Sequence, residues 1–246
     1  MNAMTAFSGR NTKEMLRDPL NLAFGLGFPV VLLLLLTAIQ RNIPVNLFQL
    51  ERLTPGIAVF GLSFISLFSA TLISKDRTTS FLMRLFASPM RASDYILGYT
   101  LPLIPMALAQ ALLCYLVAGL LGMQLTANVL LAILVSLPAA ALFIGIGLLC
   151  GSVFNDKQVG GICGALLTNL SAWLSGTWFD LDLVGGAFKK IAYALPFAHA
   201  VDAGRAAMSG EFAAIMPHLW WVIGYAVVAL VAAVLVFRKK MLRDNG

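Results

Sequence analysis

Long uninterrupted apolar blocks alternate along the chain with shorter polar stretches. Phe28–Ile39 and Val222–Phe237 are two of these blocks. A bilayer core about 30 Å thick takes roughly 20 apolar residues per helix. Lipid offers the backbone no hydrogen bonds, so a spanning segment is a helix or part of a closed barrel. Barrel strands alternate apolar and polar residues over about ten positions. The blocks here are continuous and longer, which selects helices. The pattern predicts six spans, at 22–39, 54–74, 95–121, 128–150, 159–179 and 217–237. Tyr95–Leu121 carries Pro102 and Pro105, which remove helix hydrogen bonds and are expected to bend it. The short link Gly122–Ala127 makes spans three and four a hairpin. The expected fold class is all-α integral membrane, a single transmembrane domain over residues 1–246.

Composition sharpens this picture. Of 246 residues, 60% are hydrophobic and 11% charged, against about 25% charged in a soluble domain. So few charges cannot cover a soluble globule of this size. The net charge of +6 does not indicate nucleic acid, because the basic residues sit at span ends. Cys114, Cys150 and Cys163 fall inside predicted spans without metal spacing and read as small packing residues. Residues 2–21 are polar and no small-residue cleavage site follows Ile39, so the N-terminus is expected to be retained.

Lysine and arginine fix the expected orientation. Of the 17 basic residues, twelve fall on one side: Arg10, Lys13, Arg17, Lys75, Arg77, Arg84, Arg91, Lys157, Arg238, Lys239, Lys240 and Arg243. Arg41, Arg52, Lys189, Lys190 and Arg205 fall on the other. The positive-inside rule places the first side, with both termini, in the cytoplasm.

Three polar segments carry pattern of their own. In the cytoplasmic stretch 75–94, KDRTTSFLMRLFASPMRASD, the residues Phe81, Leu82, Leu85 and Phe86 share one helical face. Arg77, Ser80, Arg84, Ser88 and Arg91 share the other, and Pro89 ends or bends the helix. Two readings fit: an interfacial helix on anionic lipid, or a docking helix for a cytoplasmic partner. Residues 1–21 form a weaker amphipathic helix, with Met4, Phe7, Met15 and Leu16 apolar and Pro19 closing it. It reads as an interfacial helix that could also brace the 75–94 segment. After span five, residues 180–216 form a long extracellular segment, within which Lys189–Met208 is too apolar for a solvated loop and too broken for a span. A re-entrant or interfacial pair of short helices split at Pro196 is expected, with Asp202 and Arg205 at i, i+3 able to pair. His199 and His218 each read as a lone structural histidine.

Spans two and five carry stripes of small polar residues. These are Ser63, Ser66, Ser69 and Thr71 in one, and Thr168, Asn169, Ser171 and Ser175 in the other. Helix packing and backbone bonding account for most such stripes. Lining of a pathway is the alternative, with Asn169 its best candidate. Gly147/Gly151 and Gly160/Gly164 are small-xxx-small pairs that mark close helix contacts. No span carries a mid-membrane acid or base, which argues against a self-powered carrier. No phosphate-binding G-x-x-x-x-G-K-[ST] loop, H-E-x-x-H motif or G-x-S-x-G elbow occurs.

These features together resemble the ABC type-2 export permeases. RTTSFLMRLFASPMRASDYILGY, Arg77 to Tyr99, is similar to that family's cytoplasmic loop, with Arg84, Leu85, Ser88 and Pro89 on the R-L-x-x-(S/T)-P pattern and Thr79 in place of the usual glycine. LPFAHAVDAGRAAM is similar to the family's outer segment at Leu195, Pro196, His199, Asp202 and Arg205. The resemblance implies a homodimer, with a heterodimer left open, and a separate cytoplasmic ABC ATPase that carries ATP and Mg. It implies no cofactor and no metal in this chain. Lys75, Asp76, Arg77, Phe81, Arg84, Leu85, Ser88 and Pro89 would couple to the ATPase. Ser63, Ser66, Ser69, Thr168, Asn169, Ser171 and Ser175 would line the pathway, and Pro196, His199, Asp202 and Arg205 would form an extracellular gate. Export of an amphiphilic substrate across a plasma membrane, the bacterial inner membrane, is the implied function. Its rivals are an ATP-independent channel, a lipid-modifying membrane enzyme and a non-transporting assembly partner.

Overall fold

A computed structural model describes residues 3–42, 46–79, 81 and 90–244. Among these residues the chain is helical throughout, with no strand. Helix α1 (Ala3–Leu16) is followed by the first span, which runs from Pro19 to Asn42 as α2 (Pro19–Leu22), a π-helical turn Ala23–Gly27 and α3 (Phe28–Asn42). Asp18 starts that span. Its carboxylate accepts from Asn21 N at 3.1 Å, and Pro19 sits in the first turn, where no N–H is needed.

Helix α4 (Leu50–Thr78) is the centre of the bundle. Its apolar window is 89% buried, against 28% for the first span and 22% for the last. It packs most closely on the helix Leu137–Val153, and also contacts the helices Ala92–Leu120 and Pro196–Ser209. Helix α5 (Ala92–Leu120) is continuous through both Pro102 and Pro105. A break falls in the next span, between α6 (Ala127–Val135) and α7 (Leu137–Val153). Pro138 lacks an N–H, and Ser136 (φ −76°, ψ −13°) takes up the change of direction while its hydroxyl donates to Ile133 O at 2.7 Å.

Close approach of α4 and α7 depends on glycine. A Cβ added at Gly147 would lie 2.2 Å from Ser66 O, and one at Gly151 would lie 2.4 Å from Ala70 O. This pair therefore does what its spacing implies. Gly160 differs, since a Cβ there would meet nothing within 4 Å.

The segment expected as span five is α8 (Asp156–Val159), a π-helical stretch Gly160–Leu167 and α9 (Thr168–Leu174). It ends at the Ser175–Gly176 turn, where Gly176 has φ +69°. Among the described residues, five helices are long and apolar enough to cross a membrane, and this shorter segment is not one of them. Short helices α10 (Leu181–Val184), α11 (Gly186–Ala194) and α12 (Pro196–Ser209) follow, then α13 (Phe212–Asp244). The expected helix pair meets at Leu195–Pro196. Helix α12 is largely buried against α13, α6 and α4.

Candidate functional site

The described residues of the predicted coupling set lie at the C-terminal end of α4, and Arg205 of the predicted gate meets its other end. At its C-terminal end, Asp76 is almost wholly buried, with 3% of its side chain exposed. A buried carboxylate needs a partner, and two groups answer. Arg10 of α1 donates to both carboxylate oxygens, at 2.6 and 2.8 Å, and the Tyr99 hydroxyl of α5 donates at 2.8 Å. The fork geometry of arginine suits this two-point contact. Burial alone would lower the Arg10 pKa, but the hydrogen bond and charge of Asp76 outweigh it and raise it, so the group stays cationic. Arg10 also pairs with Glu14 at 2.7 Å.

The next residue ties α4 to a different helix. Arg77 donates to Gly151 O at 2.9 Å and to Phe154 O at 3.1 Å, both at the end of α7. Lys75 lies 3.6 Å from Asp18. Phe81 lies under the Arg10 guanidinium at 4.2 Å and stacks on Phe7 of α1. Phe7 in turn meets Tyr95 and Tyr99 edge-on, and Asn11 donates to Gly98 O at 3.2 Å. So the amphipathic N-terminal helix braces the base of the 75–94 segment. Arg84, Leu85, Ser88 and Pro89 lie outside the described residues.

The polar stripes take two different places. Ser63, Ser66 and Ser69 are fully buried. Ser63 donates to Phe60 O at 2.7 Å, and Ser69 crosses to Ile144 O of α7 at 3.0 Å. Among the described residues, Ser66 Oγ has no hydrogen-bond partner. Ser171 donates to Thr168 O, and Ser175 contacts Thr177 Oγ1 at 2.7 Å; both are buried. Asn169 is exposed and donates to Ala165 O at 2.8 Å, with Thr168 half-buried beside it.

The opposite end of α4 meets α12. Arg205 donates from Nε to Arg52 O at 3.1 Å and from one terminal nitrogen to Gly176 O at 2.8 Å, while its other lies 3.5 Å from Asp202. The expected Asp202–Arg205 pair is thus the longest of its three contacts. The main task of Arg205 is to hold two backbone segments. Gly204 allows this, since a Cβ there would lie 3.0 Å from Pro55. Burial lowers the Arg205 pKa from its ordinary value, and Asp202 opposes the shift. Asp202 also accepts from the Tyr193 hydroxyl at 2.8 Å. Burial first, then the Asp202 charge, push that phenol's pKa well up. Lys189 pairs with Asp182. Pro196 is buried and opens α12.

The two histidines are not solitary. His199 Nδ1 lies 2.8 Å from His218 Nδ1, and its ring stacks at 4° on Trp221. His199 Nε2 lies 2.9 Å from Tyr193 O, which can only accept. His199 Nε2 therefore carries the proton, its Nδ1 accepts, and His218 Nδ1 donates. Neither the pair nor its Trp221 platform was read from the sequence, because they lie about five helical turns apart in the chain. Tyr99 was also missed. Its only signal was a hydroxyl-bearing ring near the start of an apolar span, opposite an acid at the end of another.

A buried central helix, an N-terminal helix packed at one end of it and paired short helices at the other make up a membrane protein with several membrane-length apolar helices and polar clusters at its two ends. Residues 2–209 match the ABC-2 type transporter family, and the chain belongs to that family. Members are transporter permeases that work with an ABC ATPase and are not themselves catalytic. A comparison with curated proteins gives no match.

Proposed function

We propose that the chain is the permease subunit of an ATP-driven exporter, working as a dimer over two separate ABC ATPase subunits that bind ATP and Mg. The support is the geometry at the end of α4. Asp76 and Arg77 are consecutive residues, yet they bind α1, α5 and the end of α7. A push on the 75–94 segment reaches four helices at one point. Lys75, Phe81, Arg84, Leu85, Ser88 and Pro89 complete the ATPase contact.

In this reading α8, the π-helical stretch and α9 make the sixth crossing. Both termini are cytoplasmic, in a plasma membrane such as the bacterial inner membrane. Thr168 and Asn169 turn out of the chain and line the path between two copies. Ser63, Ser66, Ser69, Ser171 and Ser175 hold its walls. Pro196, His199, Asp202 and Arg205 form the outer gate, with Arg205 as its latch. The transported molecule is amphiphilic, in keeping with an apolar bundle that offers hydroxyls and one amide. ATP binding closes the ATPase pair, draws the coupling segments together and opens the cavity outward. Nucleotide supplies the driving free energy, because a substrate held equally in both states shifts neither.

The test is co-reconstitution in nanodiscs with ABC ATPases encoded beside the chain. ATP hydrolysis should depend on the permease. Phe81→Ala should abolish most of that dependence without dispersing the folded chain on size exclusion. Failure to recruit any ATPase, with flux indifferent to ATP, would return the chain to the channel reading.

A further inference from the structure

Two of the cysteines meet across segments that the sequence alone does not bring together. Cys150 lies near the end of α7, and Cys163 lies in the π-helical stretch Gly160–Leu167. Both are free thiols, packed in one small cluster with Ala70 of α4 and Val159. Their side chains interact directly. Close backbone packing sets this up. Gly151, next to Cys150, leaves no room for a Cβ against Ala70 O, and a Cβ at Gly164, next to Cys163, would touch Leu67 of α4 at 3.4 Å.

A third group completes the cluster. Ser66 of α4 is 0% exposed, its Oγ has no hydrogen-bond partner among the described residues, and it faces the Cys163 side chain. A buried hydroxyl is ordinarily bonded. A thiol is a weak acceptor, whereas an ionised acceptor takes a strong hydrogen bond. Ser66 is therefore placed to donate once Cys163 loses its proton. The backbone is unusual here as well. A π-helical stretch is rare and frequent at functional positions, and within this one the Thr168 hydroxyl donates to Cys163 O at 3.1 Å. Cys163 is fully buried, but Cys150 is partly exposed. Gly160 and Gly161 are exposed and place no side chain beside the approach. Among the described residues no third histidine, cysteine or carboxylate joins the pair, so a metal's ligand set is incomplete. Two adjacent thiols in apolar surroundings have another course, the loss of two electrons to give a neutral disulfide.

We infer that Cys150 and Cys163 are a redox pair that hydrogen peroxide converts to a disulfide, stapling the end of α7 to the π-helical stretch. The Cys150 sulfur, the accessible one, attacks the O–O bond as its thiolate and becomes a sulfenic acid, with release of one water. The Cys163 sulfur, deprotonated while Ser66 Oγ donates to it, then attacks the Cys150 sulfur. The S–S bond forms, the S–O bond breaks, and hydroxide leaves with the Cys163 proton as a second water. Two thiols and one peroxide thus give one disulfide and two waters. In a reducing compartment such a bond is transient and serves as a sensor. The pair belongs to this chain and does not rest on an ATPase partner.

The wild-type chain in nanodiscs, treated with hydrogen peroxide and digested with trypsin without reductant, tests this. Lys157, exposed between the two cysteines, is the cut that separates them. The peptides on either side should stay joined by a Cys150–Cys163 bond, lighter than the free pair by two hydrogens, with Cys114 still reduced. Dithiothreitol should release them. Amide hydrogen exchange across residues 160–167 should slow several-fold on oxidation and recover on reduction. Cys163→Ser should stop at a Cys150 sulfenic acid, trapped by dimedone. Ser66→Ala should slow closure several-fold and leave the product the same. Peptides that separate without reductant overturn the pair, and so does a bond to Cys114 or between two chains. Exchange indifferent to oxidation overturns the staple, and closure at the wild-type rate in Ser66→Ala overturns the part given to Ser66.

Discussion

Asp76 holds a charge where bulk water cannot reach it, and its neighbours decide whether the bundle tolerates that. Arg10→Ala leaves the carboxylate with the Tyr99 hydroxyl alone. Breaking a buried ion pair costs about 3–5 kcal/mol, and the 36% exposure of the Arg10 side chain brings this toward about 2–3 kcal/mol. Asp76→Asn removes the charge and keeps the shape, so it should cost less, about 1–2 kcal/mol. Thermal unfolding in detergent should therefore rank Arg10→Ala as the weaker of the two. His199 sets a pH limit at the other end. Burial holds its pKa below the ordinary imidazole value of 6.5, assisted by His218, while Tyr193 O and Asp202 pull the other way. Lys189, Arg205 and Tyr225 are the other titratable side chains of this cluster. A lowered pKa means that the fold resists the proton. The stability is complete above pH 6.5 and declines as pH falls below it, because a proton on His199 Nδ1 removes the acceptor that His218 needs. The melting temperature should drop by about 2–4 °C for each kcal/mol lost. His199→Phe keeps a ring on Trp221 and should flatten that pH dependence.

Glycine spacing was legible as a helix-contact signal, but the sequence could not say which pairs touch inside one chain. Gly147→Ala puts a methyl against the Ser66 carbonyl, and backbone on both sides leaves nothing flexible to yield. The helices must separate, straining the Ser69–Ile144 bond and costing about 2–3 kcal/mol. Gly160→Ala meets open space and should change stability by about 0.5 kcal/mol or less, or raise it slightly. Half-life at a fixed temperature in detergent separates the two, and equal effects would contradict the α4–α7 packing. Pro102 and Pro105 lie within continuous helix, and Pro138, which drew no expectation, sits beside the Ser136 break. A proline's missing hydrogen bond is local, but whether the helix yields depends on neighbours that only the fold supplies.

Across the whole molecule, the helical spans were readable because each is a long block of one composition, and the extra turns at their ends were not. The segment after α7 was expected to run to residue 179, and it stops at Leu174 because Ser175–Gly176 turns the chain. That dipeptide is a turn signal in its own right, overlooked within an apolar run. The polar clusters were legible one residue at a time but not as clusters. Arg10 and Asp76 are 66 residues apart and Arg205 and Arg52 are 153 apart, distances over which helical periodicity carries no information. Arg205 tests the fold at this scale, since it joins α12 to the start of α4 and to Gly176. Arg205→Lys offers one compact charge in place of a fork and should release one of the two carbonyls. Limited proteolysis should then cut near residues 175–180 several-fold faster, with α1 unaffected. The tryptophans extend this view in optical terms. Trp173, Trp178, Trp220 and Trp221 all belong to the end that holds α12, and the α1 end contains none among the described residues. Native emission therefore reports from one end only, and Trp221, under an imidazole that quenches when protonated, reads the charge of His199 without a label. A change in that emission when a partner binds at the far end is a signal that has crossed the bundle.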